Sequence, residues 1–186
     1  MPNSRECQSP PPRIGVIQRP PRAGGDQLTS QLKYSVDTSA LIDGLERYYP
    51  EETFPALWKQ VEHLVKSGRF LLSAEVWEEA HARTSKAAEW CDRQGRNALT
   101  VATDVAVVKE VQRILLRHPK LVKDGKGRNR ADAFVIAVAR LTGATVVTGE
   151  GSDGNENRPK IPYICGQLGV KCIRFLELIK LEGWTF

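Results

Sequence analysis

The sequence predicts one three-layer α/β/α domain, in which helices cover both faces of a parallel β-sheet of four or five strands. Short β-prone runs alternate with segments of helical spacing along the chain, and this alternation is typical of a parallel sheet. A length of 186 residues suits one compact domain with a sizeable core. The hydrophobic content of 41% and the charged content of 26% are ordinary for a globular protein.

Residues 1–31 differ in composition from the rest of the chain. They hold most of the prolines, together with several arginines and a glycine pair, and have neither helical nor strand periodicity. We therefore expect a disordered Pro/Arg/Gly-rich tail over residues 1–31 and a folded domain over residues 32–186. No apolar segment has the length of a membrane span or the pattern of an export signal, which predicts a cytoplasmic protein.

The first half of the domain is expected to contain two strands, each followed by helices. A strand ends at Val36, and Asp37-Thr38-Ser39 starts the helix that follows. Apolar spacing then predicts a helix over residues 54–66, a buried strand over residues 69–72 and a helix capped by Ser73. A long helix is expected over residues 98–118, because valines recur on one of its faces.

The second half begins with a glycine-rich basic loop over residues 124–130 and an apolar helix over residues 131–139. A third strand is expected over residues 145–148, before a polar loop that extends to residue 157. A helix over residues 161–168, a strand over residues 170–173 and a closing helix over residues 176–181 complete the prediction.

Acidic residues recur where strands end and helices begin. Asp37 ends the first strand, three glutamates begin the helix after the second strand, Asp132 begins the apolar helix, and Glu150 follows the third strand. The carboxyl ends of parallel strands meet at one edge of the sheet, where functional sites lie. Each acid alone is explained better as a helix cap or a solvated side chain than as a ligand. Their shared placement predicts one acidic pocket.

Clustered carboxylates need a compensating cation, and hard oxygen ligands favour Mg²⁺ or Mn²⁺. The chemistry expected of such a site is metal-assisted cleavage of a phosphodiester. The formal net charge of +5 and the pI near 9.1 favour an anionic partner such as nucleic acid. Composition and spacing thus point to a nuclease.

The sequence resembles the PIN-domain nucleases, which include the VapC-like toxins. Their opening motif of strand, Asp, Thr/Ser and apolar helix is similar to Val36-Asp37-Thr38-Ser39-Ala40-Leu41-Ile42. The segments around Tyr48-Tyr49-Pro50, Ala131-Asp132-Ala133-Phe134, Val146 to Glu150 and Ile161-Pro162 look like an uncharacterised bacterial branch of that superfamily. The likeness covers about residues 34–181.

The resemblance implies a site in which Asp37, Glu79, Asp132 and Glu150 hold Mg²⁺ or Mn²⁺. Glu75 lies one turn before Glu79 on the same helical face and remains an alternative, whereas Glu78 points away. PIN domains usually end the quartet with Asp in a Thr-x-Asp motif; here Glu150 holds that place, with Asp153 nearby as its alternative. The supporting residues are Ser39, which also fits a capping role, and Thr148.

The expected partners are RNA, a cognate antitoxin protein and a second copy of the chain in a homodimer. Lys126, Arg128 and Arg130, with Lys123, are candidates for guiding the RNA backbone, although a plain solvated loop explains them equally well. The resemblance implies a ribonuclease, either the toxin of a toxin-antitoxin pair or a housekeeping enzyme.

Two other functions compete with this interpretation. A catalytically inactive PIN-like module would bind RNA or a protein without cutting it. A haloacid-dehalogenase-like phosphatase would also carry an Asp after its first strand, but that family expects a second Asp at the position of Ser39.

Overall fold

The computed structural model describes residues 32–82, 84–122 and 130–186. The predicted tail and the basic residues Lys123, Lys126 and Arg128 lie outside these ranges. Within them the chain forms five strands, β1 (Tyr34–Val36), β2 (Phe70–Ser73), β3 (Thr100–Val101), β4 (Thr145–Val147) and β5 (Cys172–Ile173). All neighbouring strands pair in parallel, in the order β3-β2-β1-β4-β5.

The helices that precede β3 are α1 (Thr38–Ile42), which continues as a π-helical segment (Asp43–Tyr48), α2 (Pro55–Lys66), α3 (Ala74–His81), α4 (Lys86–Gln94) and α5 (Arg96–Leu99). Those after it are α6 (Val105–Arg117), α7 (Arg130–Thr142), α8 (Ile161–Leu168) and α9 (Phe175–Leu181), with a 3₁₀ turn (Pro119–Leu121) after α6. Strands and helices together confirm the predicted three-layer α/β/α class.

Helix α7 covers one face of the sheet, where it packs on β1, β2 and β4. Ser35 faces it and donates a hydrogen bond to the carbonyl of Val135 (2.8 Å). Because its side chains are small and apolar, α7 lies close to the strands, and α6 packs against it from outside.

An aromatic cluster fills the opposite face. The Trp58 ring of α2 meets Trp90 at 5.3 Å between ring centroids and Phe175 at 5.6 Å, and Trp90 contacts Phe70 of β2. The Trp58 indole N–H donates to the carbonyl of Tyr49 (2.7 Å), so its polar atom is satisfied in the core.

The predicted helix over residues 98–118 is wrong at its start. Residues Thr100 and Val101 form β3 beside β2, and α6 begins only after Asp104, whose side chain accepts a hydrogen bond from Val107 N (2.9 Å). The spacing of the valines continues through both elements, but the β-branched pair extends the sheet. The cap and the pairing together move the helix start to Val105.

None of the helices in the described ranges combines the length and the apolar character that a membrane crossing requires.

Candidate active site

The strand order creates a crevice at the carboxyl edge of the sheet. The chain passes from β1 through β2 to β3 on one side, then returns to place β4 on the other side of β1. Connections therefore leave β1 and β4 in opposite directions, which is the arrangement at which open α/β sheets bind ligands. Asp37 follows β1 and Thr148 follows β4, so both lie at this crevice.

Asp37 is held by a network that joins the ends of β1 and β4. Its amide donates to the carbonyl of Val147 (2.9 Å). Its carboxylate Oδ2 accepts from the hydroxyls of Thr148 (2.9 Å) and Ser39, and Ser39 Oγ accepts from Gly149 N (2.8 Å). Both supporting residues predicted from the sequence therefore contact Asp37 directly.

Burial raises the pKa of Asp37 to about 6, since only 4% of the residue is exposed. The hydrogen bonds from Ser39 and Thr148 act against that rise, and the charges of Glu150 and Glu79 add to it. The negative charges of two other predicted acids thus act on the Asp37 carboxylate.

Asp132 lies in the first turn of α7 and is 7% exposed. No described residue gives its buried Oδ2 a hydrogen bond. Burial raises the pKa of Asp132 to about 9, and the charges of Asp37, Glu150 and Glu79 raise it further. The three other members of the predicted quartet are therefore close enough to act on this carboxylate.

Glu79 and Glu75 occupy different surroundings although they share one helix. Glu79 accepts a hydrogen bond from the hydroxyl of Thr38 (2.8 Å), the residue after Asp37. Glu75 is partly buried, its Oε2 has no hydrogen-bond partner among the described residues, and burial raises its pKa, against the opposing charge of Arg130. Both line a pocket of about 380 Å³ together with Arg130, and the geometry favours Glu79 as the member of the acidic cluster.

Glu150 and Asp153 also differ in their burial and in their hydrogen-bond partners. Glu150 is half-buried, and its Oε2 accepts a hydrogen bond from the amide of Ile161 (2.7 Å). Asp153 is exposed and pairs with Lys160 (2.6 Å), whose hydrogen bond lowers the pKa of Asp153. Glu150, unlike Asp153, raises the pKa values of both Asp37 and Asp132, so it is the better candidate of the two.

The side chains of this crevice determine whether it can bind a cation. Within the three described ranges, no group of three or more His, Cys, Asp or Glu side chains is arranged as a ready-made metal site. The carboxylates are instead held by separate hydrogen bonds to Ser39, Thr148, Thr38 and the Ile161 amide. The donor set itself is of the kind that a hard cation prefers, because the charges of three carboxylates act on Asp132, whose buried Oδ2 has no partner among the described residues.

A family described as a domain of unknown function, DUF4411, matches residues 34–186. The chain belongs to the DUF4411 family. No curated protein and no solved structure matches the chain. The matched region of the DUF4411 domain contains all five strands and all four acids of the site.

In this DUF4411 domain a buried acid, Asp43, lies next to Gly149. It was not predicted from the sequence as part of the site. It is 6% exposed and pairs with Arg47 (2.8 Å). A Cβ atom added to Gly149 would lie 2.4 Å from Asp43 Oδ2 and 3.0 Å from the carbonyl oxygen of Ser39. The only local signal was the i, i+4 spacing of Asp43 and Arg47, and close approach explains why residue 149 is glycine.

We expect Gly149→Ala to destabilise the DUF4411 domain by about 1–3 kcal/mol, because the added methyl group overpacks a buried contact. The RNA cleavage that the sequence predicts should fall with it, since Gly149 N donates a hydrogen bond to Ser39 Oγ. Thermal unfolding measures the first effect. Gly166→Ala is the matched control: Gly166 lies within α8 with no atom within 4 Å of its added Cβ, so that helix should gain about 0.5–1 kcal/mol. Equal stability of the two variants would contradict the close packing at residue 149.

The choice between Glu79 and Glu75 is testable with an isosteric pair of variants. We expect Glu79→Gln to lower metal-dependent cleavage by about 10- to 100-fold, because its charge acts on both buried aspartates. Glu75→Gln should keep cleavage within about threefold of the parent. Initial rates on a labelled RNA at fixed Mn²⁺ decide, and the reverse ranking would transfer the role to Glu75.

Proposed function

We propose that this DUF4411 domain is a metal-dependent endoribonuclease. In this proposal Asp37, Glu79, Asp132 and Glu150 hold Mg²⁺ or Mn²⁺ at the carboxyl edge of the sheet. One observation carries the proposal: Asp132 is a buried acid with an unpartnered oxygen among the described residues, and the charges of Asp37, Glu79 and Glu150 raise its pKa. Such a carboxylate is costly to ionise unless a positive ligand compensates it.

The bound cation would supply an activated water and would stabilise the charge that develops on the phosphate. The protein's own groups position this chemistry. Ser39 and Thr148 fix the Asp37 carboxylate, and Thr38 fixes Glu79. The low exposure of Asp37 and Asp132 strengthens their interaction with any positive charge in the crevice.

The resemblance to PIN-domain nucleases supports the RNA substrate, and the basic net charge of +5 agrees with it. Within this proposal we infer a cytoplasmic toxin that a cognate antitoxin inhibits. Arg130 remains the described member of the proposed RNA-binding cluster, beside Glu79 in the same pocket.

The decisive experiment incubates the purified full chain with a labelled single-stranded RNA. Cleavage is expected with Mn²⁺ or Mg²⁺, loss of cleavage with EDTA, and recovery when metal is restored in excess. A chain that stays inactive with both metals would contradict the proposed activity.

A second candidate function is a catalytically inactive module that binds RNA or a protein. The observation that favours it is that the carboxylates of the described residues are not arranged as a ready-made metal site. RNA binding without cleavage, unchanged by Asp37→Ala, would select this function over the nuclease.

A further inference from the structure

Arg174 stands at the same edge of the sheet as the acids, although nothing in its local sequence marks it. In the register of β4 and β5, Val147 pairs with Ile173, and Thr148 N donates to the carbonyl of Ile173 (3.0 Å). Thr148 and Arg174 are the next residues on the two strands. The backbone of Arg174 is therefore fixed beside the residue that holds Asp37.

The guanidinium of Arg174 is directed to the loop that carries Glu150. Its Nη1 donates to the carbonyl of Gly149 (2.9 Å), while its backbone amide donates to Glu177 Oε2 (2.8 Å). The residue is exposed, and among the described residues its guanidinium forms no ion pair with a carboxylate. By contrast, Arg47 is paired with Asp43 and Arg96 with Glu78. Arg174 is thus oriented, and most of its five N–H donors remain for a ligand.

A pocket of about 250 Å³ connects this arginine with the acidic cluster. Its lining includes Thr148, Glu150, Ser152, Arg174 and Glu177. Thr148 and Glu150 also belong to the acidic site, so a group bound in this pocket lies next to the reacting centre.

An acidic site repels the phosphates on either side of the bond that it cuts. A positively charged side chain nearby offsets that repulsion. The planar guanidinium of arginine suits this role, because its N–H donors can bind two phosphate oxygens at once. A pocket lined by both Glu150 and a guanidinium that makes no ion pair among the described residues therefore suits one phosphate held beside another.

We propose that Arg174 binds the phosphate adjacent to the scissile phosphate and so sets the position of the RNA strand across the acids. This inference rests on the proposed nuclease function. It assigns Arg174 as a substrate-binding residue that sequence analysis did not identify.

The test compares Arg174→Ala, Arg174→Lys and Lys171→Ala. Lys171 and Arg174 flank β5 at its two ends, and both are exposed, so Lys171→Ala removes the same charge from the opposite edge of the sheet. Binding of a labelled single-stranded RNA is measured with Mn²⁺ in the Asp37→Ala background, which keeps the strand intact. Thermal unfolding checks that each variant is folded.

We expect Arg174→Ala to raise Kd about tenfold and to reduce the slope of log K against log salt by about 0.7, as for one lost phosphate contact on a single strand. Arg174→Lys should recover part of the affinity and Lys171→Ala should change neither quantity. In the active protein, Arg174→Ala should raise KM more than it lowers kcat.

The outcomes separate this inference from the function on which it rests. If the parent chain cleaves RNA while Arg174→Ala matches it in Kd, salt slope and KM, the assignment of Arg174 is overturned and the nuclease stands. If the parent chain neither binds nor cleaves RNA, both fail. Binding that depends on Arg174 without any cleavage supports the phosphate contact in an inactive module.

Discussion

Asp37→Asn is expected to reduce Mn²⁺-dependent RNA cleavage by about three orders of magnitude, equivalent to about 4 kcal/mol of transition-state stabilisation. Asparagine retains an oxygen that accepts the hydrogen bond of Thr148, so the local fold should survive. It removes the anionic oxygen at the switch between β1 and β4, and with it the central charge of the proposed cation site. Initial rates on a labelled RNA measure the loss.

Asp104→Asn is the matched control for this substitution. Asp104 caps α6 through a hydrogen bond from Val107 N (2.9 Å), and asparagine caps helices about as well as aspartate. Cleavage should therefore stay unchanged. Full activity of Asp37→Asn, with Mn²⁺ still required, would remove Asp37 from the proposed site.

Asp132→Asn is expected to depress cleavage by about two to three orders of magnitude and, without metal, to alter how stability depends on pH. The folded-state pKa of Asp132 is raised by burial from 3.8 to about 9. The folded protein therefore keeps a proton that the unfolded chain releases. The contribution of this proton to the free energy of unfolding is fully present below pH 3.8. It is lost as pH rises towards 9, by up to about 1.4 kcal/mol per pH unit.

In the upper part of that pH window the titration of Asp132 can be measured separately from that of Asp37, because burial raises the pKa of Asp37 only to about 6. Between pH 6.5 and 9, the metal-free parent chain should lose stability with rising pH, whereas Asp132→Asn should lose less. Mn²⁺ should stabilise the parent more than the variant, since only the parent retains the ligand. Thermal melts at several pH values measure both effects. Identical pH slopes and identical Mn²⁺ shifts would assign Asp132 to a purely structural role.

The alternation of strands and helices in the sequence was sufficient to predict the fold class, whereas a shared metal site of the four acids stays a prediction. Each acid follows a strand or begins a helix, and a parallel sheet brings such positions to one edge. The resemblance favoured Glu79, but helical spacing alone left Glu75 as an alternative, because residues four apart share one helical face. The choice depends on Thr38, which comes from a different element and meets only Glu79.

The features that sequence missed depend on contacts between distant segments. Thr100 and Val101 continue a helical spacing, and only their pairing with β2 makes them a strand. In the sequence Asp43 looks like a surface acid of an amphipathic helix. Its burial depends on the close packing of Gly149, which comes from a distant segment. Arg174 looks like a solvated residue before a helix, and its proposed role depends on the register between β4 and β5, which places it beside Thr148.

The hydrogen bond from the Ile161 amide to Glu150 gives one carboxylate two competing roles. Glu150 stabilises the first turn of α8, where an amide would otherwise lack a partner. A cation that draws Glu150 Oε2 away must replace that bond, which is worth about 0.5–2 kcal/mol at a helix start. If the cation takes that oxygen, its affinity is weakened by the same amount, or about two- to thirtyfold in Kd. Under the proposed function, capping of α8 by Glu150 Oε2 and binding of a cation by the same oxygen therefore oppose each other.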